Sequence, residues 1–170
     1  MSPSQKHLPS MTHDHKGVGL WLMKSESSVY SIEDLRRDKM TGWGGVRNFE
    51  ARNFMRAMQI GDLAFFYHSN AEPSGIAGII EICKTAYPDP TQFDKKDDHY
   101  DLKASRKNPI WDQVDVRFKE AFKRIISLDE LRDIPALKDS PLFKRSRLSV
   151  QPVTSQAWQA VIKLLPTPAS

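Results

Sequence analysis

The chain carries one cysteine, Cys83, in its 170 residues, so no disulfide can close within it. That excludes a small fold stapled by bridges and suits a reducing compartment. No apolar run approaches the roughly 20 residues that a membrane-crossing helix needs. The N-terminus has neither the basic start nor the apolar centre of a secretory leader. An intracellular protein, in nucleus or cytoplasm and with no membrane partner, is therefore expected. CxxC, HExxH and P-loop patterns are all missing, so no metal and no cofactor are expected. His7, His13 and His15 lie scattered in a polar leader and read as solvated side chains. Internal repeats and a linker between domains are missing as well.

What is present is the composition of an ordinary globular domain. Apolar residues make up 39% and charged residues 27%, which excludes a wholly disordered chain. A net charge of +4 permits a polyanionic partner without requiring one. The expected organisation is a disordered leader over residues 1–18, one domain over 19–166 and a frayed tail over 167–170, acting as a monomer.

Residues 21–26 (WLMKSE) read as a first strand whose alternation puts Leu22, Lys24 and Glu26 on one face and Trp21, Met23 and Ser25 on the other. Lys24 and Glu26 then stand about 7 Å apart and could bracket a small polar ligand. SIED over 31–34 opens a short helix with a capping-box pattern. WGGVRNF over 43–49 is a glycine hinge running into a helix. Asn48 is its N-cap, and Ala51, Phe54, Met55 and Met58 form its apolar face. An aromatic ring, two glycines and an arginine thus stand beside the positive end of a helix dipole, which favours anionic or carbonyl-rich ligands.

GDLAFFYHS over 61–69 reads as a central strand, apolar on both faces, with Tyr67, His68 and Ser69 gathered at its open end. A further strand is expected over 75–86 and a long surface loop over 91–110. A half-exposed antiparallel strand follows over 111–122, then a capping box at Ser127 and Glu130. A last strand is expected over 145–151, with Leu148 and Val150 inward and Arg147, Ser149 and Gln151 outward. Thr154 or Ser155 should cap a final helix whose stripe is Trp158, Val161, Ile162 and Leu165. The order of elements argues for an α+β fold on a curved or barrel-like sheet.

Taken together, WLMKSE (21–26), YSIEDL (30–35), WGGVRN (43–48), GDLAFFYHS (61–69), YPDP (87–90) and SRLSVQPV (146–153) resemble the EVE domain family over roughly residues 20–165. Two positions depart from the family pattern. Ser27 stands where a proline is usual, and Gly44 where an acidic or polar residue is usual. The resemblance implies a PUA-like fold: a curved antiparallel or mixed β pseudo-barrel flanked by short helices. It also implies a non-catalytic module that recognises a modified nucleobase, flipped or single-stranded, in DNA or RNA.

A base held that way needs an aromatic ring to stack on and hydrogen bonds to its edge. The expected pocket comprises Lys24, Ser25, Glu26, Trp43, Val46, Arg47, Asn48, Tyr67, His68 and Ser69, with Trp43 as the stacking ring and Tyr67 as a second wall. Arg47, Arg52, Arg147 and Ser149 are the expected phosphate contacts. A second reading comes from ASCH-type relatives that resemble amidohydrolases acting on acylated cytidine. Lys24, Ser25 and Glu26 supply the residue types, but alternation turns Ser25 away from the other two, so Ser69 or Ser149 would have to supply the hydroxyl.

Overall fold

The computed structural model describes residues 17–166; the expected leader and tail fall mainly outside them. In chain order the elements are β1 (Leu20–Glu26), α1 (Ile32–Asp38), β2 (Met40–Gly42), α2 (Phe49–Ala57), β3 (Leu63–Ser69) and β4 (Gly75–Pro88). Then come β5 (Asp112–Ser127), α3 (Leu128–Arg132), α4 (Pro141–Lys144), β6 (Val150–Pro152) and α5 (Ser155–Ile162). Short 3-10 turns occupy Pro90–Phe93 and Pro135–Leu137.

The six strands form one mixed sheet in the order β2-β5-β4-β3-β1-β6. Only the β1–β3 pair is parallel, with Lys24 opposite Tyr67 and Ser25 opposite His68. A parallel pair needs a long crossover, and α1, β2 and α2 supply it. The sheet ends at β2 and β6 and does not close into a barrel.

Two apolar clusters cover the sheet, one on each face. Trp21 and Met23 of β1 and Phe66 of β3 point into the cluster that receives α1, α2, Trp43 and Leu148. Leu20 and Leu22 of β1 and Phe65 and Tyr67 of β3 point into the other, which receives Leu131, Leu142 and Trp158. Period-2 alternation along two adjacent strands thus assigns every side chain near their ends to one face or the other.

The helices start where their caps dictate. Ser31 and Asp34 complete the capping box of α1, Asn48 Oδ1 accepts from Ala51 N at 2.8 Å to start α2, and Ser127 and Glu130 close the box of α3. Without a proline at position 27, the turn out of β1 is held by hydrogen bonds. The Glu26 carbonyl accepts from Val29 N and Tyr30 N, both at 2.9 Å, and Ser25 Oγ donates to the Tyr30 carbonyl at 2.6 Å.

One expected strand is largely absent. Residues 145–149 are turn and coil, α4 precedes them, and pairing begins at Val150. Gln151 does not face outward: it is 1% exposed. Its amide donates to the Leu148 carbonyl at 3.2 Å and accepts from Ser140 Oγ at 3.4 Å. A polar alternation suits an edge strand and a hydrogen-bonded turn equally well, and a glutamine is buried when both ends of its amide have partners.

Candidate nucleic-acid interface

The loop 43–48 is fixed from two sides. Trp43 N donates to the Val114 carbonyl at 2.7 Å, and Gly45 N donates to Asp89 Oδ2 at 2.8 Å. Gly45 has φ +79°, and a Cβ there would stand 2.9 Å from His99 Nε2, so both conformation and space call for glycine. Asp89 is fully buried. Its carboxylate also accepts from Arg47 Nη1 at 3.0 Å, Thr91 N at 2.9 Å and Thr91 Oγ1 at 2.7 Å. Burial by itself would raise its pKa, but the hydrogen bonds from Gly45, Thr91 and Arg47 outweigh that and hold the carboxyl below its ordinary range.

The donors of Arg47, expected to meet phosphate, are all engaged within the chain. Its guanidinium has five N–H donors, and they go to the His99 carbonyl from Nε and Nη2, to Val46 O and Asp89 from Nη1, and to Thr91 Oγ1 from Nη2. The side chain pins the loop 89–112 to the helix entrance. Arg52 is also engaged, donating to the Ile110 carbonyl at 2.9 Å and to Asn53 Oδ1. The long stretch 91–110 is accordingly an ordered loop, whose centre is Gln92. That residue's amide donates to the Asp89 and Trp111 carbonyls and accepts from Ile110 N and Trp111 N.

The expected single pocket splits across the sheet. Ser25, Trp43, Val46 and His68 belong to the α2 face, whereas Lys24, Glu26, Tyr67 and Ser69 belong to the opposite one. Tyr67 is packed with Leu22 and Phe65 in the far cluster and cannot be a second wall facing Trp43. Lys24 lies 5.8 Å from the Tyr67 ring centroid and donates to the Ser146 carbonyl at 3.0 Å; burial holds its pKa below the usual lysine value. Glu26 is exposed at the end of β1. With Ser25 Oγ given to the Tyr30 carbonyl, Ser25 does not supply the hydroxyl of the amidohydrolase reading.

Trp43 is likewise not an open wall. It is 7% exposed, packed among Met23, Val46, Met55 and Leu148, and meets Phe66 edge-on at 5.3 Å and 86°. Next to Phe66, at 5.5 Å, stands the His68 ring. His68 is 9% exposed, and its Nε2 accepts the first helical N–H of α1, from Ile32, at 3.1 Å. That bond places the imidazole proton on Nδ1, for which the described residues supply no partner. Burial lowers the His68 pKa, so at neutral pH the ring is uncharged with one unspent donor.

This shift has a stability consequence. A histidine kept neutral by folding binds a proton more readily when unfolded, so stability is lost as pH falls below the ordinary value of about 6.5. Chemical denaturation between pH 7.5 and 5 should show this loss in the wild type and less of it in His68→Gln, whose amide can still accept from Ile32 N. A wild-type midpoint unmoved between pH 7 and 5.5 would contradict the assignment.

Arg147 is exposed and, among the described residues, has neither an ion pair nor a hydrogen bond, so it is free for phosphate. Ser149 is half-buried, and its carbonyl accepts from Lys24 N at 2.9 Å. Sequence reasoning missed a cavity of about 610 Å³ lined by Trp21, Phe54, Phe65, Leu142 and Gln151, among others. It contains none of the expected pocket residues, and it lies where β1, β6, α2 and α5 meet, a junction no local pattern announces.

The family model of the EVE domain matches residues 19–164. The chain belongs to the EVE domain family. Thymocyte nuclear protein 1 of Gallus gallus is 47% identical over 163 residues, spanning 85% of this chain and 67% of that protein. The Homo sapiens protein of the same name is 46% identical, spanning 85% and 72%. A solved hypothetical protein from Leishmania major superposes with a TM-score of 0.85 at 40% identity, covering 88% of this chain and 95% of that one. Human THYN1 protein, solved in complex with 5-methylcytosine-containing DNA, superposes with a TM-score of 0.83 at 45% identity, covering 89% and 99%. An ASCH protein from Zymomonas mobilis, 9% identical with a TM-score of 0.52, shares the fold alone. The EVE domain described above is thus PUA-like, with an open mixed sheet. Among the described residues no helix is long and apolar enough to cross a membrane.

Proposed function

We propose that this EVE domain is a non-catalytic reader of DNA carrying a modified cytosine, working in the nucleus. The observation that carries the reading is its likeness, at 45% identity along nearly the whole of both chains, to the human protein solved with 5-methylcytosine-containing DNA. The base is received on the α2 face of the sheet, beside Trp43 and His68. The His68 Nδ1–H donates to an acceptor on the edge of the base, a neutral contact suited to an uncharged pyrimidine. Because the indole is packed as the chain stands, the 43–48 loop must open outward to let a base stack on it. Arg147 takes backbone phosphate, adding affinity without sequence information.

Fluorescence polarisation of two duplexes, differing only in one 5-methylcytosine, tests this at a fixed salt concentration, since phosphate binding varies with salt. The wild type should bind the methylated duplex more tightly. Trp43→Phe keeps an apolar ring in the core but offers a smaller stacking surface; its preference should fall on the order of tenfold, part of the roughly 1–3 kcal/mol that stacking contributes per base. Arg147→Ala should weaken both duplexes alike. Equal binding of the two duplexes by the wild type would sink the proposal.

A further inference from the structure

Phe49, the first residue of α2, is 58% exposed although it is a large apolar ring on an ordered helix. It is not loose. Its ring stacks on Trp111 with centroids 4.7 Å apart and planes 28° from parallel. Trp111 is itself buried and anchored, its Nε1 donating to Asp101 Oδ2 at 2.8 Å, and the Arg47 guanidinium lies 5.5 Å from its ring. The Arg52 guanidinium is 4.8 Å from the Phe49 centroid and 5.9 Å from that of Trp111. Arg52 thus lies over both rings, and Phe49 still keeps 58% of its surface exposed. The result is an anchored indole carrying a stacked phenyl ring that remains more than half exposed.

A single exposed phenylalanine is common and means nothing by itself. Here the surroundings specify a partner. Around this helix end Arg47, Arg56 and Arg145 are paired with Asp89, Asp112 and Glu50, and Asp101 accepts from Trp111, whereas Arg52, against both rings, has no ion pair among the described residues. An apolar protein partner would leave the Arg52 guanidinium without a counter-charge, whereas a nucleic acid supplies both the flat face and the negative charge. Phe49 also follows Asn48 and the Trp43 loop directly, so the two positions are neighbours along the chain.

We propose that the exposed ring of Phe49 stacks on a nucleobase that flanks the recognised one in duplex DNA. The stacked pair is thereby extended by one base, and the gap left where a nucleotide leaves the stack is supported. This rests on the reading of the domain as a binder of modified DNA.

The test is polarisation on the methylated and unmethylated duplexes with Phe49→Ala, Phe49→Leu and Phe49→Trp, each checked for an unchanged thermal midpoint. Phe49→Ala should weaken both duplexes by about ten- to a hundredfold while keeping the ratio between them. Phe49→Leu should be as weak as alanine, because it is apolar but cannot stack. Phe49→Trp should bind at least as well as the wild type. Wild-type affinity in Phe49→Ala, or leucine binding as well as phenylalanine, overturns the stacking role. A wild type that binds both duplexes equally overturns base reading but leaves the Phe49 comparison decisive; a wild type that binds neither overturns both.

Discussion

Asp89→Ala should lower the unfolding free energy by about 3–5 kcal/mol, the cost of stripping one partner from a buried ion pair. The carboxylate is fully buried and accepts from Gly45 N, Arg47 Nη1, Thr91 N and Thr91 Oγ1. Alanine leaves the largely buried Arg47 charge uncompensated and three further donors without an acceptor. Urea denaturation measures the loss directly, and an unchanged slope would show that the native and unfolded surfaces are otherwise alike. The native pKa of Asp89 is depressed, so its contribution is present above the ordinary carboxylate value of about 3.9 and fades as pH falls below it. The pH leg from His68 begins higher, near 6.5, so the two are separable. Because Asp89 ties the 43–48 loop to the loop carrying Trp111, the variant should also bind methylated DNA more weakly at a temperature where it remains folded. A loss within about 1 kcal/mol, the typical effect of a point substitution, would mean that the loop holds its shape without the carboxylate.

Trp158→Ala should cost a similar amount, about 3–5 kcal/mol, by a different route. Trp158 is fully buried on α5, and its ring stacks on Phe65 with centroids 3.8 Å apart and planes 13° from parallel. Truncation opens a large cavity in the cluster on the far face of the sheet. That face holds Tyr67 and not Trp43, so the folded variant should keep its preference for methylated DNA even though it melts earlier. Pairing calorimetry with polarisation on the same samples separates the two effects. Lost selectivity in folded Trp158→Ala would move base recognition to the Tyr67 side and contradict the placement argued from His68.

Much of the fold is local in origin and so could be read from local pattern. The caps at Ser31, Asn48, Ser127 and Thr154 each need only a side-chain oxygen within three residues of a free N–H, and all four start helices. Alternation in β1 and β3 correctly separated the two faces. The same alternation, applied jointly to both strands, already implied that Lys24 and Tyr67 face away from Ser25 and His68; proximity in motif order had suggested one pocket. Residues 145–149 failed for the opposite reason, since their polar alternation has two local solutions and packing chose the turn.

The sequence by itself determined the family, the helix starts, the central strand and the apolar residues of each face, because these depend on neighbours within one or two turns of chain. Only tertiary structure decided which polar side chains are spent. Arg47 is consumed by partners more than forty residues away in Asp89, Thr91 and His99, whereas Arg147 has no partner among the described residues. Tertiary structure likewise buried Trp43 and left Phe49 uncovered on Trp111. Hydrogen-bond satisfaction and exposure belong to the folded surroundings, and no spacing along the chain records them.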